Sequence, residues 1–136
     1  MKANEWRCVL IYIAAAVACV YLALPQLDGD GTREYFLKPS SSSMRVDAEG
    51  YISLSALLAS GAESVFFSGE CNEAALIESF SARVVFVERV GDAVSYYCYS
   101  PHLRGEAIIG GRRINLHLCV ASYGYTVGTP FICGSF

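Results

Sequence analysis

The longest apolar stretch of this chain has no polar rhythm in it. From Cys8 to Leu24 the run CVLIYIAAAVACVYLAL carries strong hydrogen-bonding side chains only at Tyr12 and Tyr21, and Pro25 ends it. A surface helix of a soluble domain shows a polar stripe along one side, and this run has none, so it predicts a helix surrounded by lipid. Its 17 residues would reach about 25 Å as a helix, slightly under a hydrocarbon core of ~30 Å. Trp6 before the run, and Gln26 and Leu27 after the proline, extend it toward the two interfaces.

Past Pro25 the pattern breaks into short elements. Residues 25–32 (PQLDGDGT) are a polar exit, and Arg33–Lys38 (REYFLK) predicts a first strand. Residues 39–43 (PSSSS) read as a loop, Tyr51–Ala59 holds a helical turn or more, and Glu63–Ser68 (ESVFFS) predicts a strand ended by Gly69. Asn72–Ala82 predicts a helix, capped by Asn72, with Glu73 in its first turn and Ala75, Leu76, Ser79 and Phe80 near one face. Arg83–Val90 and Ala93–Ser100 form a hairpin across Gly91-Asp92, and Glu106–Ile109 and Arg112–Ala121 a second across Gly110-Gly111. Thr126–Ser135 closes the chain after a turn at Tyr123-Gly124-Tyr125. In RINLHLCVA, Ile114, Leu116, Leu118 and Val120 share one side and Asn115, His117 and Cys119 the other, the alternation of a sheet with one core face and one more polar face.

These elements predict an α+β fold: an antiparallel sheet of four to five strands, with hairpins in 83–136, packed by one or two helices and preceded by the apolar helix. The expected organisation is an N-terminal membrane anchor or signal segment over 1–27 and an extracytoplasmic domain over 28–136.

Charge orients the anchor. Lys2 and Arg7 precede the run, while Asp28 and Asp30 follow it before the next basic residue, Arg33. Positive-inside bias puts the N-terminus in the cytoplasm and the remainder outside. Ala16-Val17-Ala18 has the small-x-small shape of a signal cleavage site, and with Cys19 it loosely resembles a lipoprotein box lacking its leucine. Both lie mid-run, which favours a retained single-pass anchor over a secreted, cleaved product. The chain carries a net charge of −3; beyond Arg7 there remain 8 basic and 12 acidic residues, a net charge of −4. An acidic domain lacks the footprint for phosphate backbones, so no nucleic-acid partner is expected. The expected contacts are the membrane, through the N-terminal helix, and an unidentified envelope protein or peptide.

Candidate chemistry is sparse. Cys8 and Cys19 lie in the apolar run, and Cys71, Cys98, Cys119 and Cys133 in the domain. Exported cysteines invite two disulfides, yet their apolar flanks (YYCYS, LHLCV, FICGS) equally suit buried thiols, and both readings stand. His117 and Cys119 project together and could be joined by Cys98, His102 or Cys133 around zinc, but no CxxC or HxxxH pair is present and no metal or cofactor is expected. A Cys–His nucleophile with His102 or His117, oriented by Asn115, has no hydrolase motif around it, and no catalytic residue is assigned. The glycine-rich stretches lack phosphate-loop spacing. Tyr97 and Tyr99 share one strand face, Tyr96 and Cys98 the other; with Phe66, Phe67, Phe80 and Phe86 they form either a core or an aromatic surface for a peptide or glycan.

In the last third, Tyr99-Ser100-Pro101 ends a strand, Gly110-Gly111 turns, Asn115-Leu116 leads a strand to Val120-Ala121, and Gly128-Thr129-Pro130-Phe131-Ile132 precedes Phe136. On these motifs residues 99–136 resemble the C-terminal part of the YwmB-like family of exported bacterial proteins. The resemblance implies an α+β fold related to the TATA-box-binding protein and assigns no catalytic residues; fold alone does not imply DNA binding. The expected function is a non-catalytic interaction or structural module of the cell envelope. Its rivals are a small exported Cys–His hydrolase and a DNA-binding domain of that fold.

Overall fold

In the computed structural model, which describes residues 2–23, 26–27, 29–36, 45–47 and 61–132, the apolar run up to Ala23 lies within helix α1, Ala3–Ala23. Its 21 residues extend about 31 Å, the thickness of a hydrocarbon core. Lys2 N donates to Glu5 Oε2 at 3.0 Å, a side chain reaching back to satisfy one of the free amides at a helix start. Leu10, Ile11, Tyr12 and Val17 are all more than half exposed. By length and composition α1 can cross a membrane, and among the described residues none of its Ala3–Tyr21 stretch is buried.

The domain is built from strands β1 (Thr32–Phe36), β2 (Arg45–Asp47) and β3 (Ala62–Ser68), helix α2 (Glu73–Ser79), and strands β4 (Arg83–Val90), β5 (Ala93–Tyr99), β6 (Ala107–Ile109), β7 (Arg112–Ile114), β8 (Leu116–Ala121) and β9 (Gly124–Thr129). Seven strands make one antiparallel sheet in the order β2-β1-β3-β9-β8-β5-β4, and β6 with β7 forms a separate hairpin. The class is α+β, as the pattern predicts. The sheet is wider than the hairpins of 83–136 alone supply, because β9 pairs with the distant β3 and so recruits β1 and β2. The segments 39–43 and 51–59, and the last residues of the expected strand 126–135, lie outside the described residues.

One face of the sheet carries the core. Val65, Val127, Leu118 and Tyr96 run across four strands in a single row. Leu27, Ile77, Cys98 and Leu116 pack into the same cluster, and Phe67 stacks on Tyr125 with centroids 5.1 Å apart. Helix α2 lies over this face. Asn72 caps it as expected, its Oδ1 accepting from Ala75 N at 3.1 Å. It is shorter than Asn72–Ala82: Phe80 closes the last turn and Ser81 takes a left-handed φ of 51°. Over so few turns the buried side is Ile77, flanked by Leu76 and Phe80, while Ala75 and Ser79 stay exposed.

The expected polar face of β8 is a correction. Asn115, His117 and Cys119 are 1%, 2% and 3% exposed, as deeply buried as Leu116 and Leu118 on the other side. Two segments cover them. Residues 131–132 fold back across Gly128, where an added Cβ would meet Ile132 Cγ1 at 2.7 Å, and the β6–β7 hairpin lies against β4 and β5. The expected single strand Arg112–Ala121 is accordingly two. It breaks at Asn115, where β7 leaves the sheet to form that cover.

Candidate functional site

The only charged side chain buried among the described residues is Glu63, on β3. Its strand alternates, so Glu63 shares the core face with Val65 and Phe67, and a carboxylate there needs partners. They come from the chain entering from α1. Glu63 Oε1 accepts from Gln26 N at 2.5 Å and from Leu27 N at 3.0 Å. Arg33, on β1, donates through Nη1 to Leu27 O at 2.7 Å and stands 3.5 Å from Glu63 Oε2. Burial raises the Glu63 carboxyl above the ordinary carboxylate range, against the opposing pull of the two amides, Arg33 and Arg104.

Gln26 makes the second attachment. Its Oε1 accepts from Arg104 N, and its Nε2 donates to Arg104 O at 3.3 Å, so a side-chain amide pairs with one residue's main chain as a neighbouring strand would. The Arg104 side chain then reaches the helix itself. Nη1 donates to Tyr21 O at 2.7 Å, and the guanidinium carbon lies 5.0 Å from the Tyr21 ring centroid. A cation near the last carbonyls of a helix also meets the negative end of its dipole. Helix, linker and sheet are therefore joined by direct bonds on both sides of Pro25.

A second polar cluster adjoins the first, since Leu103 precedes Arg104 and Thr129 pairs with Glu63. Asn115 Oδ1 accepts from Ser100 N at 2.7 Å, and Asn115 Nδ2 donates to Ser100 O at 2.7 Å and Leu103 O at 3.2 Å. Ser100 Oγ donates to Phe80 O at 2.5 Å, and Thr129 Oγ1 donates to Asn115 O at 2.8 Å. The ends of α2, β5, β7 and β9 meet here, and every bond is internal to the fold.

The residues weighed for chemistry are not brought together. Cys98 lies opposite Leu116 on the core face, whereas His117 and Cys119 lie on the other, so the sheet separates them. His102 is exposed in the loop after β5, and Cys133 lies outside the described residues. Among the described residues no group of three or more His, Cys, Asp or Glu could hold a metal ion, and Cys8, Cys19, Cys71, Cys98 and Cys119 are free thiols. Burial pushes the Cys98 thiol up to about 11 and also raises Cys71 and Cys119. These are poor nucleophiles, since the thiolate is the reactive form. Iodoacetamide near neutral pH is expected to leave Cys98 and Cys119 unmodified in the native chain and to label both after unfolding, read by peptide mass spectrometry. Fast native labelling of either would reopen a nucleophilic role.

The aromatic face is likewise occupied by its own chain. Phe86, Tyr97 and His117 stack in a column across β4, β5 and β8, with centroids 4.3 Å apart at each step. Tyr97 thus has both ring faces covered. Arg112 lies over Phe86 at 5.2 Å, and Arg83 and Arg113 lie over Tyr99 at 5.7 and 5.9 Å. These rings stabilise the sheet and its covering hairpin.

Neither Glu63 nor Gln26 and Arg104 stand out in the sequence as chemistry. The available signal is Glu63 itself: a carboxylate at i, with Val65 at i+2 and Phe67 at i+4 on a core-facing stripe. Comparison of the chain with protein-family models, curated proteins and solved structures finds no match.

Proposed function

We propose that this chain is a single-pass membrane protein, N-terminus cytoplasmic, whose α+β domain is held at the outer membrane surface as a non-catalytic interaction or structural module. The observation that carries the reading is the grip of Arg104 on Tyr21. A leader destined for removal has no need of bonds to the domain behind it, whereas a retained anchor gains a fixed attitude from them. Support comes from the unbroken apolar surface of α1, from Lys2 and Arg7 on one side against Asp28 and Asp30 on the other, and from the likeness of residues 99–136 to the exported YwmB-like family.

Intact mass of the protein extracted from membranes tests retention. The expected mass is that of the full chain without added lipid, resistant to alkaline extraction. A product beginning after Ala18 or Ala23, a lipid adduct on Cys19, or a cytosolic reporter fused behind Phe136 would each defeat the reading. Ala16→Arg, at the centre of the apolar run, is expected to cost about 2.5–3.5 kcal/mol of insertion free energy and to shift the chain out of the membrane fraction.

A further inference from the structure

Strand β4 ends the sheet, and its outer edge is unpaired among the described residues. It carries Val84, Val87 and Val90 at 45%, 47% and 70% exposure. A long edge strand with apolar side chains is a template for another strand. What it templates follows from its side pattern. Arg83 lies opposite Tyr99 and Glu88 opposite Ser95, so both project from the face away from the core; Val84 lies opposite Cys98 and Val87 opposite Tyr96, so both project from the core face. Five residues apart, Arg83 and Glu88 would point oppositely in a regular strand. The register shift at Val85, which has no partner on β5, brings them to the same side. The order of faces therefore reads the same in both directions from the middle of Arg83–Glu88, and the charges at its two ends are opposite.

We propose that two copies of this chain pair antiparallel through β4, with Arg83 opposite the partner's Glu88 and Val84 opposite the partner's Val87. Two-fold symmetry makes each contact twice, and both ion pairs and both valine pairs fall in one register. The charges are already positioned for it: Glu88 Oε2 accepts from Tyr97 Oη at 3.2 Å, and Arg83 lies over the Tyr99 ring.

The membrane reading adds an independent constraint, and this part of the argument rests on it. Antiparallel edge pairing about an axis normal to the sheet keeps the same face of both sheets on one side. Leu27, the first described residue of the domain to enter its core, packs on the core face. Both chains thus arrive from α1 on the same side, as two anchors in one bilayer require. A short edge contact is small beside the ~1,200–2,000 Å² of stable soluble interfaces; confinement of both copies to one membrane supplies the effective concentration it needs.

The test is cysteine cross-linking of the full-length chain in native membranes, with Cys8 and Cys19 replaced by alanine. Val84→Cys/Val87→Cys is expected to give a dimer on mild oxidation, with the bond mapped between 84 and 87 of different chains. Each single variant is expected to give little, because in this register identical positions stand three residues, about 10 Å, out of line. Arg83→Glu is expected to lower the yield about tenfold by turning two attractions into repulsions, and Arg83→Glu/Glu88→Arg to restore it. No dimer, a dimer bonded equally well through single variants, or no rescue by the charge swap overturns the pairing, as when a segment of the same chain or another protein covers the edge. Fractionation separates this from the anchor reading. A soluble chain that still forms the 84–87 bond keeps the pair and loses the anchor, and a membrane-bound chain without the bond does the reverse.

Discussion

Asn115→Ala is expected to destabilise the domain by about 3–5 kcal/mol, a large share of the ~5–15 kcal/mol that holds a folded domain together. Asn115 is 1% exposed and Ser100 0%, so water cannot readily replace what alanine removes. The substitution strips Ser100 N of its acceptor and Leu103 O of its side-chain donor, and leaves Ser100 O with only the long bond from Leu103 N at 3.5 Å. Each buried polar group so abandoned costs about 1–3 kcal/mol. Asn115→Asp is expected to be equally damaging. Its carboxylate still accepts from Ser100 N but faces two carbonyl oxygens where Nδ2 donated. Urea denaturation of the chain, followed by the near-ultraviolet signal of its tyrosines, checks both. A loss under about 1 kcal/mol for alanine would show that the cluster is solvated and does not pin the ends of α2, β5, β7 and β9.

That cluster also marks where sequence pattern stops being informative. The β4–β5 hairpin was legible because Gly91-Asp92 is a local turn signal between two runs of β-branched and aromatic residues. α1 was legible because seventeen consecutive apolar positions need no partner to be recognised. Asn115 looked like one more outward polar position on a strand. Its actual use, pairing with the main chain of Ser100, depends on a residue 15 positions away. The burial of His117 is equally non-local. It follows from Phe131 and Ile132 crossing Gly128 and from the hairpin laying Arg112 over Phe86, neither of which leaves a periodic trace. Glu63 stands between these cases. Alternation places it on the core face beside Val65, but its partners, Gln26 and Leu27, arrive over a gap of more than thirty residues.

Stability is expected to fall by about 3 kcal/mol between pH 6.5 and pH 4 on account of His117 alone. The ring is 2% exposed, and its Nδ1 accepts from Ile132 N at 3.1 Å, which places the proton of the neutral imidazole on Nε2. Burial lowers its pKa from 6.5 to about 4. The sign follows from which state takes the proton. Below pH 6.5 the unfolded chain binds it and the folded chain does not, so acid favours unfolding, by up to about 1.4 kcal/mol per pH unit. Below about pH 4 both states are protonated and the loss is complete. Glu63 bends the same curve the other way. Its raised carboxyl takes up a proton at higher pH in the folded chain than in the unfolded one, so its contribution grows as pH falls through the raised value. Two variants separate the contributions. His117→Phe keeps a ring against Tyr97 and removes the titration; it is expected to be less stable near neutrality, because Ile132 N loses its acceptor, and flatter between pH 6.5 and 4. Glu63→Gln is expected to steepen the acid loss by removing the opposing contribution. Denaturation midpoints across this range decide it. An unchanged slope in His117→Phe would mean that the imidazole is already open to protons in the folded chain, and that residues 131–132 do not seal the second face of the sheet.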